Sequence, residues 1–252
     1  MSLVAKLLLV ALLAPALSAA TVDEVLREAQ SAEAKLDSSR ALELYLQAGQ
    51  AKSNDASILQ KIARQYSDLV LEQPTTETKK QYAQTALDYS QRAVALNPRD
   101  PVNVLSLAVC HGKLALYSDT KTKIQYSRLV KEETERALAI DPNYAWAHHV
   151  LGRWHYEVAS LGVTSRWLVR LFYGGLPEAS YEQAIVHLRR AVELEPGELN
   201  HHLELGFACA AAGRKAEART SWAHGLALVS RGKHDEPAKQ RAREALRQLG
   251  DS

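Results

Sequence analysis

Three segments of this chain end the same way. ALDYSQRAVALNP closes at Pro98, KEETERALAIDP at Pro142 and AIVHLRRAVELEP at Pro196. Each carries apolar residues at i, i+3, i+4 and i+7, the spacing of one face of an α-helix. Each then meets Asn, Asp or Glu followed by Pro. Proline has no N–H and pushes the residue before it out of the α region, so the helix stops there. A chain that stops similar helices at intervals stacks them, because no single helix can bury its apolar face alone. No segment alternates apolar and polar residues strictly, and good helix formers are abundant. The fold class is all-α.

The spacing inside each unit is that of a tetratricopeptide repeat: Leu-Gly in a first helix, Ala about twelve residues on, then a large apolar residue, Ala and Pro. The final unit fits directly, with Leu205-Gly206, Ala218, Trp222 and Gly225. The third has Leu151-Gly152, then Ala184, Leu188, Ala191 and Pro196, with about twenty residues inserted between its helices. The second has Leu107-Ala108, Ala137 and Pro142; the first has Ile62-Ala63, Tyr66, Ala86, Ala93 and Pro98. Each of those two carries an insertion of about ten. A degenerate pair near 22–36 and 39–51 caps one end. A helix at 237–249, opened by Pro237, sets Ala238, Ala242, Ala245, Leu246 and Leu249 on one face and caps the other. The expectation is a tetratricopeptide-like α-solenoid of about four helix pairs with terminal capping helices. It forms a single domain over 21–252, with an insertion at 157–180.

Residues 1–20, MSLVAKLLLVALLAPALSAA, read as a secretory signal peptide. One Lys precedes an apolar run, Pro15 breaks it, and small residues surround a cleavage point near Ala20. The run is shorter than the about 20 residues of a membrane span. Export to a periplasmic or extracellular space is expected, with an uncleaved N-terminal anchor as the alternative. Cys110 and Cys209 fall in first helices two units apart, roughly 20 Å by helix stacking. A disulfide needs Cα atoms within about 7 Å, so both read as small buried apolar residues.

Charge is nearly balanced, with 31 Lys plus Arg against 29 Asp plus Glu. No basic arm or aromatic-basic strip is present, which argues against nucleic-acid binding. No GxSxG, Walker A or Rossmann glycine pattern occurs, and the carboxylates are scattered along helix faces. No catalytic site and no cofactor are expected. Among the 9 histidines, His148, His149, His155, His201 and His202 crowd together in sequence. His148 and His155 share a helix face. His148 and His202 each precede a repeat glycine by four residues, which predicts that they neighbour one another across adjacent repeats. A metal site needs three or four converging ligands, and the spacing fits no common zinc pattern. These histidines read as packing at helix seams, with no metal.

The inserted stretch of the third unit, 162–180, places Trp167, Leu168, Leu171 and Phe172 at i, i+1, i+4 and i+5. Arg166 and Arg170 flank them, and Gly174-Gly175 and Pro177 end the run. It reads as a short amphipathic helix. It either folds back on the solenoid, forms a lid over its groove, or touches a membrane surface through 162–173.

The stretch DPNYAWAHHVLGRWHYEVASL at 141–161, with LGRW followed by EVASL, resembles the regulator of microtubule dynamics protein family. The resemblance covers 81–197. Its most specific blocks are TKIQYSRLVKEETERALAIDP, AHHVLGRWHYEVASL and LPEASYEQAIVHLRRAVELEPG, in order and with the long insertion before Pro177. It implies an all-helical domain that binds a partner and has no catalytic activity, and the family name implies microtubule association. An exported chain does not meet cytosolic tubulin, so a microtubule-associated protein is the alternative only if residues 1–20 are not a secretion signal. In tetratricopeptide domains, first-helix residues three before and one and four after the repeat glycine line the inner surface. Carried over, the third unit offers His149, Arg153 and Tyr156, with Trp146 beside them. The second offers Leu105, Val109 and Gly112, with Lys113 adjacent. The final unit offers Leu203, Phe207 and Ala210, and the first Gln60 and Arg64. The expected site is an apolar trough with Arg153 near its middle. It suits an extended peptide or partner helix; the alternative is a lipid or other apolar anionic ligand. An Arg among apolar walls needs an acid, either Glu157 one turn on or a group of the ligand.

Overall fold

The structure is a computed structural model that describes residues 21–250, the side chains of Val163, Thr164 and Arg166 excepted. Residues 1–20, and with them the expected signal peptide, lie outside the described residues. Twelve α-helices and no strand occur among the described residues. They are α1 (Val22–Ala34), α2 (Ser38–Ala51), α3 (Ala56–Leu69), α4 (Thr76–Leu96), α5 (Pro101–Ala115), α6 (Thr120–Ile140), α7 (Ala145–Ala159), α8 (Val163–Tyr173), α9 (Tyr181–Leu194), α10 (Leu199–Ala211), α11 (Lys215–Ala227) and α12 (Asp235–Gly250). The pairs are α1/α2, α3/α4, α5/α6, α7/α9 and α10/α11. Each packs on the next, and α12 closes the stack. This is an all-α, tetratricopeptide-like solenoid.

The helix stops fall where the prolines predict. The N–H groups of Asn97, Asp141 and Glu195 donate to the carbonyls of Ala93, Ala137 and Ala191, each at 2.9 Å, and Pro follows in all three. Three first helices, α3, α5 and α10, open on an acidic cap, whereas α7 opens at Tyr144 with no side-chain cap. Asp55 accepts the N–H of Ser57 at 2.9 Å, Asp100 that of Val102 at 2.8 Å, and Glu198 that of Asn200 at 2.9 Å. Each satisfies a donor that the helix leaves orphaned.

The insertions of the first two units are mostly helix. α4 and α6 each run 21 residues, against 14 in α9. In the third unit α7 continues to Ala159, so the inserted segment begins later than residue 157. It consists of α8 and an irregular run to Ser180.

Close helix approach at the repeat glycines is present. A Cβ on Gly152 would stand 2.6 Å from Leu188 Cγ, and one on Gly206 2.3 Å from Trp222 Cδ1. The Trp222 indole N–H donates to the Leu203 carbonyl at 3.1 Å, so the ring that fills this seam is also satisfied as a donor. The buried side chains form a string of clusters along the stack. One joins α1 to α3, the next two centre on α5, and the last joins α9 to α12. Cys110 and Cys209 are buried in two different clusters. The solenoid curls far enough for the α11–α12 loop to meet the end of α3. Lys233 pairs with Glu72, and His234 Nε2 lies 3.9 Å from Asp68.

Candidate functional site

First helices of neighbouring repeats meet, α3 with α5 and α7 with α10, and polar side chains link them. At the C-terminal half, α7, α10 and α12 converge on Glu204, whose side chain is only 9% exposed. Arg153 of α7 holds it at 3.7 Å and reaches Glu157 at 3.1 Å. Arg241 of α12 pairs with its other oxygen and stacks over Phe207, 4.4 Å from the ring centre. A buried carboxylate between two guanidiniums avoids the cost of an unpaired charge. The Glu204 charge raises the Arg153 pKa above its ordinary value, against the effect of burial. Arg153 therefore meets two acids, Glu204 of the next repeat and Glu157 one turn on, and its hydrogen bond goes to Glu157.

One turn away, His149 Nδ1 faces His201 Nδ1 at 3.0 Å. Trp146 covers both rings, at 5.0 and 4.9 Å between centroids. Burial holds the His149 imidazole well below its ordinary pKa, with His201, Arg153 and Arg241 adding to the effect. Burial also pushes His201 down to about 4. Both rings are neutral at pH 7, and one Nδ1 donates while the other accepts.

A second polar cluster ties the first two pairs together. Glu33 of α1 meets Lys61 at 2.8 Å and Arg64 at 3.4 Å on α3, accepts from Gln65 at 3.3 Å, and accepts the Tyr45 hydroxyl of α2 at 2.9 Å. The hydrogen bonds and charges of those partners lower the Glu33 pKa against its desolvation. Between the two clusters, the Lys113 ammonium donates to the Ser67 carbonyl, and burial lowers its pKa.

The expected groove residues do not lie on one surface. Trp146, His149, Arg153 and Phe207 lie together around Glu204 and His201, and Tyr156 is half-buried with its ring 6.0 Å from Tyr181. Val109 is exposed and Lys113 bridges to α3. Leu105 and Leu203 are buried in the core, Leu203 packing toward Gly225 of α11. The surroundings of Arg153 are thus paired charges beside aromatic rings, more polar than a plain apolar trough. Glu204, Arg241 and Glu33 have no signature in sequence, because their partners are set by stacking and not by spacing.

The histidine pairing differs from expectation. His148 does not meet His202. His148 Nδ1 lies 3.0 Å from His187 Nδ1 on its own second helix, and His202 faces His224 at 5.8 Å. The cross-repeat pair is His149 with His201, one residue round each helix. His155 stacks on His187 at 5.7 Å. Among the described residues no group of three or more His, Cys, Asp or Glu is placed to hold a metal ion.

In the insertion, Trp167 and Phe172 are exposed, as is Arg170; the Arg166 side chain lies outside what is described. α8 meets α6, where Arg128 donates to the carbonyls of Tyr173 and Gly175. Lys131 of α6 stands over Trp154, whose indole N–H donates to the Ser127 carbonyl at 2.7 Å.

A family model for regulator of microtubule dynamics protein 1-3 matches residues 20–250. The chain belongs to this family. The bovine regulator of microtubule dynamics protein 1 (Bos taurus) is 29% identical over 190 residues, 75% of this chain and 60% of the relative. The mouse protein (Mus musculus) is 26% identical over 187 residues, 74% and 61%. The chain thus spans about 60% of the length of these relatives. A thermophilic tetratricopeptide-repeat protein of Thermus thermophilus superposes with a TM-score of 0.65 at 21% identity, covering 90% of this chain and 99% of that one. It shares the fold. The regulator family match overturns the export expected from residues 1–20. Relatives from cattle and mouse carry the name of regulators of an intracellular polymer, and a short apolar run followed by small residues is too generic a pattern to stand against a match over 20–250. With export goes the reason for setting tubulin aside. The chain is a tetratricopeptide-like helical-repeat scaffold of this regulator family.

Proposed function

We propose that this member of the regulator family is a non-catalytic scaffold, acting as one repeat domain over 21–252, that holds a protein segment against the first helices. One observation carries the reading. Arg153 and Arg241 are fixed on one buried carboxylate from two sides, yet their side chains stay 40% and 49% exposed. Each guanidinium has five N–H donors in a fixed fork, so donors remain for a ligand's carboxylates or backbone carbonyls. Trp146, Tyr156 and Phe207 supply flat apolar surface beside them. That combination suits an extended acidic segment, held by charge and by stacking. The names of the relatives make the microtubule the first partner to test. The experiment is co-sedimentation with polymerised tubulin at two salt concentrations, using the intact chain and Arg153→Glu/Arg241→Glu. The intact chain is expected in the pellet, less at high salt, and the double variant in the supernatant. Equal pelleting of both removes the guanidiniums from the site. An intact chain that never pellets removes the microtubule as partner, and an array of acidic peptides then tests the scaffold itself.

A further inference from the structure

The α8 insertion is not used by the proposed scaffold. Its exposed side chains include Trp167 at 59%, Leu168 at 42%, Leu171 at 57% and Phe172 at 68%. At 100° per residue these four sweep one broad arc of the helix, with Arg170 at its edge. Other exposed large apolar residues, such as Leu36, Leu71 and Val229, are single and scattered. α8 has no buried side chain among those described. It is held at its end, where Arg128 bonds the Tyr173 and Gly175 carbonyls and Gly174 and Gly175 take positive φ. These bonds fix the helix while leaving its apolar arc uncovered.

We propose that α8 docks this protein on an anionic membrane surface, lying in the interface with Trp167, Leu168, Leu171 and Phe172 turned into the bilayer and Arg170 at the lipid phosphates. Charge selects this occupant. From Val158 to Pro177 the chain carries Arg166 and Arg170 and no Asp or Glu. An aromatic and aliphatic face edged by arginine is the composition of an interfacial helix. A protein partner would also need hydrogen-bond acceptors and donors met across the contact. This arc offers none beyond its guanidinium edge and the indole N–H, whereas the acyl boundary asks for none. No helix among the described residues, α8 included, is long and apolar enough to cross a membrane.

The test uses the full chain with vesicles of phosphatidylcholine, with and without phosphatidylserine. The intact protein is expected to float with the anionic vesicles and not with the neutral ones. Leu171→Ser/Phe172→Ser is expected to lower the partition constant by more than about tenfold, with an unchanged thermal midpoint. A blue shift of tryptophan emission on vesicle addition is expected for the intact chain and absent in Trp167→Phe. Failure of the intact chain to bind anionic vesicles overturns the proposal. So does equal binding to both vesicle types, or binding unaffected by the double variant. Self-association in sedimentation that the double variant abolishes assigns the arc to a second copy of the chain instead.

Discussion

His149 and His201 face one another at 3.0 Å through their Nδ1 atoms, across the seam between two adjacent repeats, with His201 Nε2 left without a hydrogen-bond partner. The seam favours a neutral pair. A proton on the accepting Nδ1 sets two donors face to face, and one on the donor ring's Nε2 keeps the bond but buries a charge beside two arginines, so either loses stability. The Glu195 carboxylate, 3.6 Å from His201 Nε2, is half-exposed and too distant to offset that loss. The linkage has a definite sign. Both folded values lie below the ordinary 6.5, that of His201 at about 4. Between those limits the unfolded chain binds more protons, so stability is complete above pH 6.5 and is lost as pH falls toward 4. Each ring contributes up to about 1.4 kcal/mol per pH unit in that window. Urea midpoints measured from pH 7.5 down to 4.5 are expected to be flat near neutrality and then to fall. His201→Phe is expected to flatten the slope. A slope unchanged by that substitution counts against the pair as its origin.

What is legible in the sequence is local. Pro98, Pro142 and Pro196 fix three helix ends because the rule involves one residue and its predecessor. Gly152 and Gly206 mark seams because a missing Cβ has one obvious use. The lengthened α4 and α6 show in sequence only as extra residues, since helix and loop take up the same number of positions. The histidine register differs from expectation by one residue, and one residue on a helix is 100°, enough to send His148 to α9 and leave His149 for α10. Glu204 and Arg241 escape sequence reasoning for a related cause. Their pairing joins α10 to α12, and nothing in their own neighbourhoods records how the solenoid curls.

Removing the shared carboxylate tests the charge cluster that joins α7, α10 and α12. Glu204→Ala leaves Arg153 with Glu157 alone and Arg241 with the Phe207 ring. The loss of stability is expected to be about 2 kcal/mol, less than for a fully enclosed pair because both guanidiniums reach solvent. Arg153→Ala is expected to cost less, since Arg241 still neutralises Glu204. Chemical unfolding of the two variants side by side gives the order. If Arg153→Ala is the more damaging, Arg153 holds more of the seam than its ion pairs account for.

The N-terminal pair depends on Glu33 in the same way. Its carboxylate serves groups on α2 and α3 at once. Glu33→Ala is expected to loosen α1 and α2 before the rest of the stack, because a repeat touches only its neighbours. Hydrogen exchange resolved along the chain is the measurement. Faster exchange confined to residues 22–51 supports this role. Uniform acceleration from α1 to α12 means that the solenoid opens as one unit.

Gly206 offers the sharpest steric test. A Cβ there would sit 2.3 Å from Trp222 Cδ1 and 2.4 Å from Nε1, well inside contact distance, while a Cβ on Gly197 meets nothing within 4 Å. The indole cannot retreat without breaking its bond to the Leu203 carbonyl. Gly206→Ala is therefore expected to cost about 1–3 kcal/mol by overpacking. Gly197→Ala, the control at the neighbouring turn, is expected to change little. Trp222→Leu shortens the side chain that the added methyl group strikes, so the double variant is expected to lose less than the sum of the two single losses. Thermal midpoints of the parent chain, the two single variants and the double variant close the cycle, and strict additivity would show that the Gly206–Trp222 contact does not set the spacing of α10 and α11.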